Sequence, residues 1–234
     1  MSAILKRELD AYFNTPLGYV FLAVYYLFAG YFFLRYNLYG NSTDMRGLFE
    51  MLFTVTLFLI PILTMRLMSE DRRSRTDQLL LMAPVSTLEI LLGKFFAAVA
   101  VYLAAMAVTL IQALVLSRMA PVEWSVVLGH FLGLFLLGCA LIAVGLFISA
   151  LTENQIIAAI GGFCVGFFLM LLDSLAGLIQ NSVLAGFVTD LSFQTHYQNF
   201  TLGLFDLADV VFYLSVTALF VFFTLCVFEK RRVA

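Results

Sequence analysis

The chain has 234 residues, of which 63% are hydrophobic and only 12% are charged, and its formal net charge is -2. Soluble domains are about half apolar and about one quarter charged, so this composition excludes a soluble domain and indicates an integral membrane protein. The small net charge says little, because the distribution of Lys and Arg along a membrane protein matters more than their sum.

The first residues predict a short amphipathic helix that lies in the membrane interface over residues 1–15. Its apolar side chains fall close to one face, and its charged side chains lie elsewhere. The apolar set is Leu5, Leu9, Tyr12 and Phe13, and the charged set is Lys6, Arg7 and Asp10. Basic residues on such a helix can lie beside anionic lipid headgroups. Pro16 follows at a position that suits the first turn of the next helix.

Six apolar segments are each long enough to cross the membrane, which takes about 20 residues for about 30 Å of hydrocarbon. They are residues 17–36, 48–67, 90–116, 126–151, 155–173 and 207–228. Most basic residues then fall on one side: Lys6, Arg7, Arg66, Arg72, Arg73, Arg75, Lys94, Lys230, Arg231 and Arg232. The other side has only Arg35, Arg46 and Arg118. The positive-inside rule therefore predicts that both termini and the segment 66–94 lie in the cytosol.

The segment 66–94 is a long charged stretch between the second and third apolar segments. Residues 69–82 predict a helix in which Ser69 is the N-cap, Glu70 and Asp71 occupy the first turn, and Pro84 stops the helix. Its polar end, Ser69–Asp77, would contact a partner, and its apolar end would press on the membrane or on the partner. The alternative is a solvated loop that only anchors the topology.

The segment from Asp173 to Asp209 has no Lys or Arg and faces outward in this topology. It is too apolar for an ordinary loop, and its apolar stretches are too short to cross the membrane. Because backbone at membrane depth must be helical or covered by protein, we expect two short helices over residues 174–205 that dip into the outer leaflet. The alternative is a pair of interfacial helices without a role in transport.

No motif in the chain predicts a catalytic, cofactor-binding or metal-binding residue. Gly93 and Lys94 lack the upstream Gly and the following Ser or Thr of a phosphate-binding loop, so this chain does not hydrolyse ATP by that route. His130 and His196 have no neighbouring His or Cys at a ligand spacing, and packing roles are favoured for both. An intramembrane enzyme is accordingly disfavoured.

Two pairs of glycines at a spacing of four allow close approach between helices. They are Gly129 with Gly133 and Gly162 with Gly166. The contact would lie either within one chain or between two chains, and both alternatives stay open at this point.

Several stretches resemble the ABC-2 type transporter permeases over nearly the whole chain. They are KRELDAYFNTPLGYV, LIPILTMRLMSEDRRSRTDQLLLMAPVS, GLFISALTENQ, LSFQTHYQNFTLG and FEKRR. The nearest branch is the gliding-motility (GldF-like) permeases and their nitrous-oxide-reductase-maturation relatives. Arg75 stands where glycine is expected in this family, Gln78 where an acid is common, and Met82 where threonine is frequent.

The resemblance implies an all-α membrane protein with a single transmembrane domain over residues 1–234. Its parts would be an interfacial helix (1–15), spans one and two (17–67), a cytosolic coupling helix (68–88), spans three to five (90–173), outward short helices (174–205) and span six (207–228). Such a chain would be the permease subunit of a bacterial inner-membrane ABC transporter. Two permease chains, identical or paralogous, would pair, and each would rest on a separate ATP-binding subunit that holds Mg-ATP. Export is expected, since the family consists mostly of exporters.

The resemblance also implies which residues contact the ATP-binding subunit. They are Glu70, Asp71, Arg72, Arg73, Arg75, Thr76, Asp77, Leu79 and Leu80 of the coupling helix, and Thr152, Glu153, Asn154 and Gln155 of a second turn. The other partners would be the lipid bilayer and an accessory protein in the periplasm or the membrane, but not nucleic acid. The alternative function is a scaffold that transmits ATP-driven motion to a periplasmic partner without moving a solute.

Overall fold

The structure, a computed structural model, describes residues 2–76, 86–176, 186, 188–201 and 206–233. The regular secondary structure of these residues is helical throughout. The helices are α1 (Ser2–Asn14), α2 (Pro16–Phe32, extended by π-helical turns over Phe33–Leu38), α3 (Arg46–Thr64), α4 (Ser69–Arg73), α5 (Thr87–Ser117), α6 (Trp124–Leu151), α7 (Gln155–Ala176), α8 (Phe193–Thr201) and α9 (Leu207–Val233).

Six of the helices that the structure describes are long and apolar enough to cross a membrane. They are α2, α3, α5, α6, α7 and α9, and each coincides with one of the six predicted spans. The prediction of an all-α, multi-pass membrane protein is therefore confirmed. Local signals account for two of the helix starts. Pro16 occupies the first turn of α2, and the hydroxyl of Ser86 accepts a hydrogen bond from the Glu89 N–H at the start of α5.

The centre of the bundle is α6, which packs against α3, α5, α7, α8 and α9. Its sequence is apolar on all sides, which is the pattern of a helix surrounded by other helices. By contrast, α2, α7 and α9 leave most of their apolar surface uncovered by this chain. These three helices are therefore the ones that lipid or another chain can cover.

Glycines bring α7 close to α3. A Cβ atom on Gly162 would lie 2.7 Å from the Cβ of Pro61, and one on Gly166 would lie 2.8 Å from the carbonyl oxygen of Leu57. Both distances are shorter than van der Waals contact, so the two helices can approach this closely only where side chains are missing. This glycine pair accordingly serves packing within one chain.

The described ends of the bundle form two faces. The terminal face consists of α1, α4, the turn at residues 152–154 and the end of α9, where Thr87 donates a hydrogen bond to Glu229 at 3.4 Å. The opposite face consists of residues 39–45, residues 118–123 and α8. Of the short helices predicted over 174–205, α8 is described, whereas residues 177–185, 187 and 202–205 lie outside the described residues.

The helix predicted over residues 69–82 is shorter than expected and is capped differently. It ends at Arg73, because Arg75 adopts a left-handed backbone conformation with a φ of 57° that no α-helix can contain. Ser69 is the first helical residue rather than the N-cap, and its hydroxyl donates back to the carbonyl of Met65. The remainder of the predicted helix, from Asp77 to Pro84, lies outside the described residues.

Candidate functional site

A serine from another span holds α4 at its start. The hydroxyl oxygen of Ser149, near the end of α6, accepts hydrogen bonds from the backbone N–H groups of Met68 and Ser69, each at 3.1 Å. The same hydroxyl donates to the carbonyl of Met65 at 3.0 Å. The first N–H groups of a helix have no partner within it, so Ser149 takes the place of the side-chain cap that α4 itself lacks.

The end of α3 is anchored to α1 by an arginine and a tyrosine. Arg66 pairs with Glu70 one turn later at 2.6 Å and donates to the hydroxyl of Thr15 at 2.7 Å. Its guanidinium also lies 5.8 Å from the ring centroid of Tyr12. The Tyr12 hydroxyl donates to the carbonyl of Leu63 at 2.9 Å, and burial raises the pKa of this tyrosine. Tyr12 therefore stays neutral and keeps its hydrogen bond.

A buried lysine joins three segments of the terminal face. The ammonium of Lys94, two turns into α5 and only 2% exposed, lies 3.0 Å from Glu8 Oε1 in α1 and 2.6 Å from Asp71 Oδ2 in α4. Its third partner is the carbonyl of Leu67, at 2.7 Å, between α3 and α4. The ammonium donates hydrogen bonds to Glu8 and to the Leu67 carbonyl, and its contact with Asp71 is an ion pair.

An arginine at the rim of this cluster balances its charge. Arg7 pairs with Glu8 and lies 3.8 Å from Asp71, so two cations face two carboxylates. Burial lowers the pKa of Arg7, but the hydrogen bond and the negative charge of Glu8, together with Asp71, outweigh it and raise the pKa above its usual value. The second oxygen of Asp71 accepts a hydrogen bond from Thr76 at 3.0 Å.

The two segments predicted to contact a partner touch each other. Arg72 of α4 pairs with Glu153 at 2.9 Å and donates to the carbonyl of Ala150 at 3.3 Å. The turn that carries Glu153 is closed locally, because the Thr152 hydroxyl accepts from the Asn154 N–H at 3.1 Å. The structure therefore brings α4 and the turn between α6 and α7 together as one surface of the terminal face.

Two arginines at the end of α4 point away from this network. Arg73 and Arg75 are exposed, and within the described residues neither pairs with a carboxylate. Arg75 is left-handed, a conformation that costs a residue with a side chain about 1–2 kcal/mol. Glycine, which the family resemblance leads one to expect here, would avoid this cost.

Most of the predicted partner contacts thus lie on one surface, but their roles differ. Asp71 and Arg72 use their charges for contacts within the chain, whereas Arg73 and Arg75 keep theirs on the surface. Glu70 is paired yet half-exposed, Thr76 faces Asp71, and Thr152–Gln155 lie beside α4. The predicted contacts Asp77, Leu79 and Leu80 lie outside the described residues.

Sequence reasoning missed Lys94, Glu8 and Ser149 as members of this site. One signal for Lys94 was available, because a charged residue inside an apolar segment is costly and is usually functional. Ser149 carried no signal, since a serine in an apolar helix is unremarkable until its neighbours are known. Glu8 could not be distinguished from the other charges of an interfacial helix.

The opposite face has a polar contact of its own between α8 and α9. The nearly buried carboxylate of Asp209 accepts hydrogen bonds from His196 Nδ1 at 2.6 Å and from the amide of Asn199 at 3.0 Å. The His196 ring stacks on Phe212 with a centroid distance of 4.0 Å. In the part of the chain that the structure describes, no three His, Cys, Asp or Glu side chains are placed to hold a metal ion. This arrangement is suited to fixing α8 on the bundle.

Comparison with protein families matches residues 32–172 to the family described as "ABC-2 family transporter protein". The matched range begins at the end of α2 and includes α3, α4, α5 and α6, and it therefore contains both halves of the surface formed by α4 and the 152–154 turn. It leaves out α1, α8 and α9. No curated protein matches the chain.

Proposed function

Because this chain belongs to the ABC-2 family of transporter proteins, we propose that it is the permease subunit of an ABC exporter in a bacterial inner membrane. The ATPase activity belongs to a separate ATP-binding subunit, which docks on the terminal face. That face, with both termini, lies in the cytosol, as the concentration of Lys and Arg on it supports. The sequence features shared with the GldF-like branch support membership of that branch.

The observation that carries the docking proposal is the contrast between the arginines of α4. Arg72 pairs with Glu153 and donates to a carbonyl of α6, so α4 is fixed to the end of α6 and to the turn at residues 152–154. Arg73 and Arg75 are exposed, and neither pairs with a carboxylate among the residues that the structure describes. Arg75 has a left-handed backbone, and glycine would adopt this conformation at a lower free-energy cost. Strained backbone of this kind is often found at functional sites. The two guanidinium groups are suited to an acidic groove on the ATP-binding subunit.

The contacts of α4 suggest how the motion of the ATPase subunits reaches the membrane. When two ATP-binding subunits close, they press on α4 and on the turn beside it. α4 is joined to α6 through Ser149 and to the end of α3 through Arg66 and Glu70, so a displacement of α4 moves these helices as a body. A ligand can shift a conformational equilibrium only through a difference in affinity for the two states, so this surface fits the closed pair better than the open one.

A second permease chain completes the transporter in this proposal. The apolar surfaces of α2 and α7 that this chain leaves uncovered are where the partner packs, and the pathway lies at the seam bounded by α2, α3 and α7. The partner is an identical or a paralogous chain. If ATP hydrolysis responds to an outer protein but to no solute, the chain is instead a scaffold that drives that protein.

The replacement of Arg75 by glycine separates docking from folding, because it should raise the stability of the permease and weaken binding of the ATP-binding subunit. Glycine removes the left-handed penalty of about 1–2 kcal/mol, but it loses about 0.5–1 kcal/mol of conformational entropy on folding. The difference should stabilise the permease by roughly 0.5–1 kcal/mol. Loss of an anchoring arginine should weaken binding of the ATP-binding subunit about tenfold, since such residues contribute more than about 1 kcal/mol. The measurements are denaturation in detergent and co-purification with the ATP-binding subunit.

Asn41 provides the matched control, because it also has a positive φ, of 47°, but lies on the opposite face. Asn41→Gly should leave binding of the ATP-binding subunit unchanged. Arg75→Lys keeps the charge and should retain most of the binding. If Arg75→Gly binds the ATP-binding subunit as tightly as the unaltered permease does, the docking surface is not the end of α4.

A further inference from the structure

The cluster around Lys94 joins α1 to the proposed docking segment through charges rather than through packing. A polar cleft of about 270 Å³ separates α1 from α4, and Arg7, Glu8, Asp71 and Lys94 line it. Lys94 is the residue that holds a carboxylate from each side of this cleft. α1 and α4 are therefore connected mainly by ionic contacts across a space that apolar side chains do not fill.

The contact between α1 and α5 is of a different kind. A Cβ atom on Gly93 would lie 2.8 Å from the Cγ2 of Ile4, so α1 rests directly on α5 at the turn that carries Lys94. This packing does not depend on charge. Neutralising the cluster should accordingly remove the direct tie between α1 and α4, while α1 stays on α5 and keeps its hydrogen bond to the end of α3 through Tyr12.

We propose that Lys94 is a positioning residue that ties α1 to α4, so that α1, α4 and the start of α5 move together when the ATP-binding subunit presses on α4. This inference rests on the proposed function and extends it to α1, which lies outside the residues matched to the family. In this proposal Glu8 and Asp71 keep α1 at a fixed position relative to α4, because both pair with Lys94. Buried ionic groups are best known for fixing the register between helices.

The test uses the charge balance of the cluster. Lys94→Met alone leaves two carboxylates without their lysine and is expected to fold poorly. The triple variant Lys94→Met, Glu8→Gln, Asp71→Asn removes the lysine and both carboxylates. It should regain stability because the charge that is left, on Arg7, is exposed and can be solvated. The double variant Arg7→Gln, Glu8→Gln removes both ionic contacts that α1 makes with this cluster and leaves the pair between Lys94 and Asp71.

The readout is movement rather than stability. Cysteine-directed spin labels at Asp10 in α1, at Ser74 after α4 and at the reference position Met119 on the opposite face, all exposed, report distances in the full complex with the native cysteines replaced by serine. In the unaltered cluster, trapping the ATP-binding subunit with ATP and vanadate should shift both the Asp10–Met119 and the Ser74–Met119 distances. In the triple variant and in the double variant, the Ser74 shift should persist and the Asp10 shift should fall by more than half.

Stimulation of ATP hydrolysis by the permease should fall at least threefold in the triple variant, although binding of the ATP-binding subunit is retained. As a matched control, Arg46→Met with Asp44→Asn neutralises the exposed pair on the opposite face and should change neither distance. If the Asp10 label still shifts fully in the folded triple variant and in the double variant of Arg7 and Glu8, Lys94 only stabilises the fold and the inference is wrong. If no ATP-binding subunit binds the unaltered permease, the proposed function itself fails.

Discussion

Replacing Ser149 by alanine tests whether α6 positions α4 through a single hydroxyl group. This hydroxyl accepts from the N–H groups of Met68 and Ser69 and donates to the carbonyl of Met65, and Ser149 itself is fully buried. A serine hydroxyl offers one donor and two acceptor sites, so every hydrogen-bonding site it has is used. Alanine removes all three hydrogen bonds and adds no group that could replace them.

The magnitude follows from the groups that are left behind. A buried donor that loses its acceptor costs about 1–3 kcal/mol, and a lost helix cap costs about 1 kcal/mol. With two N–H groups unpaired at the start of α4, the opening of this segment should become easier by about 2–4 kcal/mol. Because every 1.4 kcal/mol is a factor of ten, the population of the open segment should increase by a factor between about 30 and several hundred.

Amide hydrogen exchange measures this opening directly, because exchange of a protected amide reports the free energy of local unfolding. In Ser149→Ala, the amides of Met68 and Ser69 should exchange at least about 30-fold faster, while the amides at the centre of α6 keep their protection. Ser117→Ala is the control, since this serine makes one hydrogen bond within its own helix, to Leu114. Exchange at residues 66–73 that rises less than threefold in Ser149→Ala would refute the reasoning.

Two further sets of substitutions test other contacts. Gly145→Ala should destabilise the protein by about 1–3 kcal/mol in detergent denaturation, because its Cβ would overlap the Thr64 hydroxyl. Adding Thr64→Ala should recover only part of this loss, because the Cβ of residue 64 would still lie 2.8 Å away. Gly30→Ala, with open space around it, is the control and should be neutral or stabilising, so equal losses at both glycines would contradict the steric explanation. His196→Ala and Asp209→Ala should show a coupling of about 1.5–3 kcal/mol in a double-mutant cycle, because the Asp209 carboxylate accepts a hydrogen bond from the imidazole. Additive effects would show that the two side chains act independently.

The helices α1 and α4 show how far sequence reasoning extends. A helix does lie over Ser2–Asn14, and Leu9, Tyr12 and Phe13 of its predicted apolar face pack on the core; this face follows from the periodicity of four residues in one short window. The start of α4 near Ser69 was also predicted, but its end was not. Arg75 is left-handed, and an arginine carries no local sign of that conformation; only the family's expected glycine at this position indicated it.

The charges of the terminal face show the limit more clearly. Asp71 and Arg72 were both predicted to contact a partner protein, because the family resemblance makes their segment the docking helix. In the structure Asp71 pairs with Lys94, and Arg72 pairs with Glu153, which is 81 residues away along the chain. No property of the segment itself distinguishes these two residues from Arg73, which stays exposed.

The amino-acid sequence by itself determined the six spans and the face on which basic residues concentrate. Both follow from sums over neighbouring residues, since the free energy of placing a segment in hydrocarbon is set by its own composition. Only the tertiary structure decided which charges are used within the chain and which are left for a partner. A buried charge must find its counter-charge wherever the packing of helices brings one within about 3 Å, and for Lys94 that packing brought together α1, α4 and the end of α3.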